Sequence, residues 1–140
     1  MASSSPKQES ARQRTVIVVD DDGEVRSLLA DALGKDGHRV DVLESGDDLL
    51  RYVARSIVDP DGCKRPDLVV MDVRMPGPSG LDVLASLRSS HWAGLVILVT
   101  AFGDAATHAI ARRLGALAVL DKPFEIPDLR RLVREALEAP

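Results

Sequence analysis

Aromatic side chains are scarce in this sequence: one Trp, one Tyr and two Phe make up 3% of its 140 residues. Any core must therefore be filled by Val, Leu, Ile and Ala. Cysteine is nearly absent as well. The single Cys63 excludes an internal disulfide, and a reducing, cytoplasmic location fits that count. No apolar run approaches the ~20 residues that a membrane-spanning helix needs. The polar opening Met1–Arg14 lacks the apolar stretch of a secretion signal. Nor is there an excess of positive charge: the formal net charge of −4 gives no basis for direct nucleic-acid binding. No segment repeats. What remains is 45% hydrophobic and 29% charged, in a length that suits one globular domain.

Residues 1–14, rich in Ser, Gln and charge, read as a disordered tail, which leaves a domain over 15–138. From there, apolar runs alternate with segments of helical spacing. The runs are Thr15–Asp20, Arg39–Leu43, Asp67–Asp72, Leu95–Thr100 and Ala116–Leu120. Four are nearly continuous in apolar residues, as parallel strands covered on both faces must be. The second alternates, Val40 and Val42 against Arg39 and Asp41, as a half-exposed edge strand would.

Between them, Val25, Leu28, Leu29, Ala32 and Leu33 predict one buried face of a first helix. Asp22 suits its cap, Ser45 the cap of a second helix carrying Leu49, Leu50 and Val53, and Asp104 that of a fourth with Ile110 and Leu114 inward. Leu81, Leu84 and Leu87 mark a third. Pro127 fits the first position of a fifth that buries Leu129, Leu132, Val133 and Leu137. Five β-α units in succession imply an α/β fold, a doubly wound parallel sheet with helices on both faces. Val58–Pro66 is a long polar loop before the third strand.

In such sheets ligands bind beyond the carboxyl ends of the strands. The first strand ends in Asp20 and Asp21, the third in Asp72 and the fourth in Thr100, while Lys122 follows the fifth. Three carboxylates, a hydroxyl and an ammonium are thus expected at one rim. Clustered carboxylates repel one another and call for a cation. An all-oxygen set favours Mg2+ or Mn2+ with phosphate oxygens completing the shell. One carboxylate can then attack phosphorus to give an aspartyl phosphate. Thr100 can hydrogen-bond one phosphoryl oxygen and Lys122 can pair with another.

The motifs VVDDD at 18–22, PDLVVMDVRMPGPSGLDVL at 66–84, VILVTAFGD at 96–104 and GALAVLDKPF at 115–124 resemble the response-regulator receiver domains of two-component signalling. The resemblance runs from about Thr15 to Leu137. It implies the flavodoxin-like strand order 2-1-3-4-5, with Asp72 as phosphoacceptor and Asp20, Asp21 and Asp72 as metal ligands. The backbone carbonyl of Arg74 would be a further ligand, and Thr100 and Lys122 would take the switch and phosphate-binding roles. It also implies a cis peptide at Lys122–Pro123. A histidine kinase or phosphotransfer protein would be the donor. The downstream output domain or protein is not specified, no membrane is involved, and a homodimer is compatible with such a domain. One position departs: Val119 stands where the family usually has Tyr or Phe. An aromatic switch in its ordinary form is excluded, and the loop after the fourth strand, with Phe102, becomes the expected carrier of the readout.

Two other functions compete. A phosphatase of the haloacid dehalogenase type would need a second Asp two residues after the nucleophile, where Arg74 stands. A phosphorylation-independent docking module on the same fold is the remaining alternative. His38, His91 and His108 fall outside the expected rim, Cys63 reads as an incidental loop thiol, and Trp92 as an exposed residue of a connection. Arg112 and Arg113 read as a solvated face of the fourth helix.

Overall fold

A run such as Thr15–Val19 has no polar face to offer water, so its strand must be covered on both sides. The computed structural model describes residues 13–101 and 103–138 and places the runs accordingly. In chain order the elements are β1 (Thr15–Val19), α1 (Gly23–Gly34), β2 (Arg39–Leu43), α2 (Gly46–Val58) and β3 (Leu68–Asp72). They continue with α3 (Gly80–Ser89), β4 (Leu95–Thr100), α4 (Ala105–Arg113), β5 (Ala118–Asp121) and α5 (Ile126–Glu138). The five strands are all parallel, in the order β2-β1-β3-β4-β5. Residues 1–12, most of the expected tail, lie outside the described residues, as does Phe102.

Strand alternation divides the interior into two layers. Ile17, Val19, Val69, Met71, Val96 and Leu98 face α2, α3 and α4, meeting Leu49, Val53, Leu84 and Leu87. Val16, Val18, Leu68, Val70, Ile97 and Val99 face α1 and α5, meeting Leu29, Leu33, Leu129 and Val133. The caps form where expected. Asp22 accepts from the N–H of Glu24 and Val25, Ser45 from Asp48, and Asp104 from Thr107. Ser79 and Asp82 add a reciprocal capping box at the start of α3.

Several expectations shift. β1 stops at Val19 and β3 starts at Leu68, while the Asp67 carboxylate accepts from the Thr15 N–H at 2.8 Å. β5 runs two residues later than its apolar run begins, although the Leu117 N–H already reaches Val96 O. α5 opens at Ile126, one residue before Pro127. Leu28 is 57% exposed and Ile110 42%. The buried stripes are narrow, Leu29–Ala32–Leu33 on α1 and Ala111 on α4, so a residue one step round the helix falls outside them. Trp92, expected on the surface, is only 6% exposed: its indole packs into the layer under α3, against the chain at Gly94.

The turn between α1 and β2 is fastened to α5. Asp36 Oδ1 and Oδ2 accept from Arg130 Nη2 at 2.7 Å and Nε at 3.0 Å, with Arg134 nearby at 3.9 Å. The Arg130 hydrogen bonds hold the Asp36 carboxyl below its ordinary 3.8. A depressed carboxyl contributes stability above its ordinary pKa and loses it as pH falls through the lowered value. Arg130→Ala should therefore lower the unfolding midpoint at neutral pH, and the gap to wild type should narrow only below 3.8. Thermal unfolding across pH measures this; a gap independent of pH would contradict it.

Candidate functional site

The strand ends bring the expected rim together. β1 and β3 are neighbours, so the residues just after and at their ends, Asp20, Asp21 and Asp72, approach side by side. One carboxylate oxygen from each lies within 4.8 Å of the others, with Asp20 and Asp72 buried and Asp21 exposed. Lys122 comes from the far side, because β5 lies beyond β4. Its Nζ donates to Asp72 Oδ2 at 3.2 Å, and its backbone N–H donates to Thr100 O at 2.8 Å. Thr100 is buried at the end of β4. The Arg74 N–H donates to Asp72 Oδ1 at 3.1 Å, which fixes the carboxylate plane. The Lys122–Pro123 peptide is cis.

Local sequence explains the close approach. Gly80 opens α3 directly against the end of β3, donating its N–H to Val73 O at 2.8 Å. A Cβ there would lie 2.5 Å from Asp72 O, so a side chain would push α3 off the strand end. Next to Thr100 an open hollow of about 820 Å³ lies between the loops that follow β3 and β4, lined by Met75, Ser79 and Thr107 among others.

Within the cluster, Asp20 is the strained carboxyl, chiefly through burial, and the Lys122 ammonium offsets part of that strain. Burial pushes the Asp20 carboxyl above its ordinary range. The Asp22 N–H, at 2.9 Å from Asp20 Oδ1, pulls it partly back, and the Asp72 charge pushes it up again. Three hard oxygen donors, two of them buried, fit a small divalent cation. Removing charge from the cluster should relieve the strain. A raised carboxyl contributes stability that is present at low pH and lost as pH rises through its folded value. Asp21→Asn removes the smallest of the charges that raise Asp20, so it should make the metal-free protein slightly more stable near neutral pH and weaken Mg2+ binding. Unfolding in chelator is the check; a clearly lower midpoint than wild type would mean the aspartates do not repel.

One histidine, outside the acidic cluster as expected, has a partner that local sequence does not signal. His108, on α4, places Nε2 3.1 and 3.2 Å from the two oxygens of Asp121, next to Lys122 in sequence. No sequence signal links residues thirteen apart on a helix and a strand end. Val119, half-buried, lines a small hollow of about 180 Å³ with His108 and Arg112.

An acidic cluster, a lysine across from it and a parallel 2-1-3-4-5 sheet together make an α/β domain with a charged site at its strand ends. The family model "Response regulator receiver domain" matches residues 16–134, and the chain belongs to that family. It is 30% identical over 122 residues to the sporulation initiation phosphotransferase F of Bacillus subtilis, covering 87% of this chain and 92% of that one. It is 36% identical over 121 residues to the transcriptional regulatory protein PdtaR of Mycobacterium tuberculosis, covering 86% and 55%. The response regulator receiver protein from Pseudomonas putida superposes with a TM-score of 0.79 at 27% identity, covering 88% and 97%. The BeF3-activated N-terminal receiver domain of Klebsiella pneumoniae RstA gives 0.76 at 29%, covering 90% and 100%. The chain spans a quarter to about half the length of several curated regulators it matches. The chain is thus a receiver domain of two-component signalling, a phosphoacceptor rather than a conventional enzyme. Among the described residues, no helix is long and apolar enough to cross a membrane.

Proposed function

We propose that Asp72 is the phosphoacceptor of this receiver, over a domain body of 15–138, and that the phosphoryl donor is a histidine kinase or a phosphotransfer protein. An Asp72 carboxylate oxygen attacks phosphorus, the bond from phosphorus to the donor imidazole nitrogen breaks, and the imidazole leaves. The observation that carries the reading is Lys122 Nζ at 3.2 Å from Asp72 Oδ2, beside three clustered carboxylates. Before transfer the ammonium holds the carboxylate in place; after it, the same ammonium is within reach of the new phosphoryl oxygens. The Arg74 N–H, bonded to Asp72 Oδ1, orients the nucleophile. Thr100 supplies a hydroxyl that can turn to a phosphoryl oxygen.

Asp20, Asp21 and Asp72, with the Arg74 carbonyl, would hold Mg2+, or Mn2+ in its place. Such an ion neutralises charge between the incoming phosphoryl group and the carboxylates. The protein also catalyses the slow hydrolysis of its own aspartyl phosphate. Cytoplasmic placement suits an unpaired Cys63 and a cytoplasmic kinase partner. Signal transmission proceeds without an aromatic at Val119. The expectation that Phe102 carries it concerns a residue outside the described ones.

Incubation with acetyl phosphate and Mg2+, followed by intact mass measurement, tests the reading. One added phosphoryl group, absent in chelator, is the expected result. No addition under any Mg2+ condition would favour a phosphorylation-independent docking module.

A further inference from the structure

Among the described residues, β2 is an outer strand of the sheet and pairs only with β1. The Arg39 N–H reaches Arg14 O at 2.8 Å, and Leu43 O accepts from the Asp20 N–H at 3.2 Å. In a parallel ladder, odd-numbered residues of β2 therefore turn both main-chain groups toward β1, and Val40 and Val42 turn theirs outward. Val42 is 46% exposed. An open groove of about 980 Å³ runs along this edge, walled by α2 and by the loop 61–64. Its lining is mixed in sign: Arg39, Arg51, Arg55 and Lys64 stand among Asp41, Asp48 and Asp61. A lining of one sign would suit an oppositely charged peptide. A near-balanced one suits a surface that complements itself.

The spacing of the charges fixes how. Arg39 and Asp41 lie two apart on one face of β2, and within one chain their contact is long, 3.6 Å, with Arg39 half exposed. We propose that β2 pairs antiparallel with β2 of a second copy of this chain, about a two-fold axis at Val40. That register sets Val40 opposite Val40 of the second copy, exchanging main-chain hydrogen bonds, and sets Val42 opposite His38 of the second copy. Arg39 then faces Asp41 of the second copy, and Asp41 faces its Arg39, in close non-hydrogen-bonded positions on the α2 side. Shifting the axis by one residue to Asp41 would oppose Asp41 to itself. The edge charges, which ordinarily discourage edge pairing, here select one register. The two sheets become one continuous sheet, with the phosphoacceptor sites left open at the strand ends.

The test is sedimentation equilibrium of the full chain over a wide concentration range. Wild type should show a monomer–dimer equilibrium. Arg39→Asp opposes two acidic pairs and Asp41→Arg two basic ones, so each alone should raise the dimer Kd about tenfold or more. An equimolar mixture of the two variants restores both pairs and should dimerise as wild type does. Asp41 also accepts from the Tyr52 hydroxyl at 3.2 Å, so Asp41→Arg could be lost to misfolding. Val42→Pro then serves instead: it removes an outward N–H that no described residue uses in the ladder, and it should yield a monomer with unchanged phosphorylation. A monomeric wild type, variants that dimerise like wild type, or a mixture no tighter than either variant would overturn the proposal.

Discussion

Asp72→Asn is expected to abolish Mg2+-dependent phosphoryl uptake and to leave the fold in place. The amide keeps the shape of the carboxylate, and its oxygen can still accept the Arg74 N–H that now reaches Asp72 Oδ1. What disappears is the negative charge of the proposed nucleophile and the ion pair with Lys122 at 3.2 Å. The lost pair and the relieved repulsion with Asp20 oppose each other, so stability should change by no more than about 1 kcal/mol. Acetyl phosphate should add no mass to this variant under conditions that phosphorylate wild type. A phosphoryl increment that persists would assign the acceptor elsewhere.

The largest structural effect is expected at Arg88, in the last turn of α3. Its guanidinium donates from Nε to Leu114 O at 2.8 Å and from Nη1 to Trp92 O and Gly94 O, both at 3.0 Å. Nη2 donates to Gly115 O at 3.1 Å. It also stacks over the Trp92 ring at 5.7 Å. One side chain thus ties the α3–β4 connection to the turn between α4 and β5. Arg88→Ala leaves four carbonyls to water and uncovers the indole. The expected cost is about 3 kcal/mol, or about 10 °C in midpoint. Arg88→Lys should recover only part, because an ammonium cannot span both turns in a fixed plane. Trp92 is the sole tryptophan, so its fluorescence should shift to the red in the Ala variant before unfolding. A loss below about 0.5 kcal/mol would show that the hub is not stabilising.

These two residues mark the division between what the sequence discloses and what it hides. Asp20, Asp72 and Thr100 each terminate an apolar run, so the parallel-sheet rule alone carries them to one rim. Lys122 follows the same logic through β5. The caps at Asp22, Ser45 and Asp104 are local, set by side chain and neighbouring N–H, and they form as read. The strand order rested on the resemblance, and the structure has the same order. Arg88 gives no signal, because its partners lie up to 27 residues away and are backbone carbonyls, which carry no residue identity. Trp92 lies beneath that same guanidinium. The His108–Asp121 contact is equally non-local. Leu28 and Ile110 fail for another reason: periodicity gives a stripe's direction but not its width, and here each stripe is narrower than its apolar residues suggest.

Asp72 is expected to be the one carboxylate that receives the phosphoryl group. Borohydride reduces an aspartyl phosphate to homoserine, so trapping followed by tryptic peptide sequencing locates the acceptor. After treatment with acetyl phosphate and Mg2+, the peptide spanning 65–74 should carry homoserine at position 72 and unmodified aspartate at Asp67. Homoserine at Asp20, Asp21 or Asp67, with Asp72 unchanged, would contradict the account.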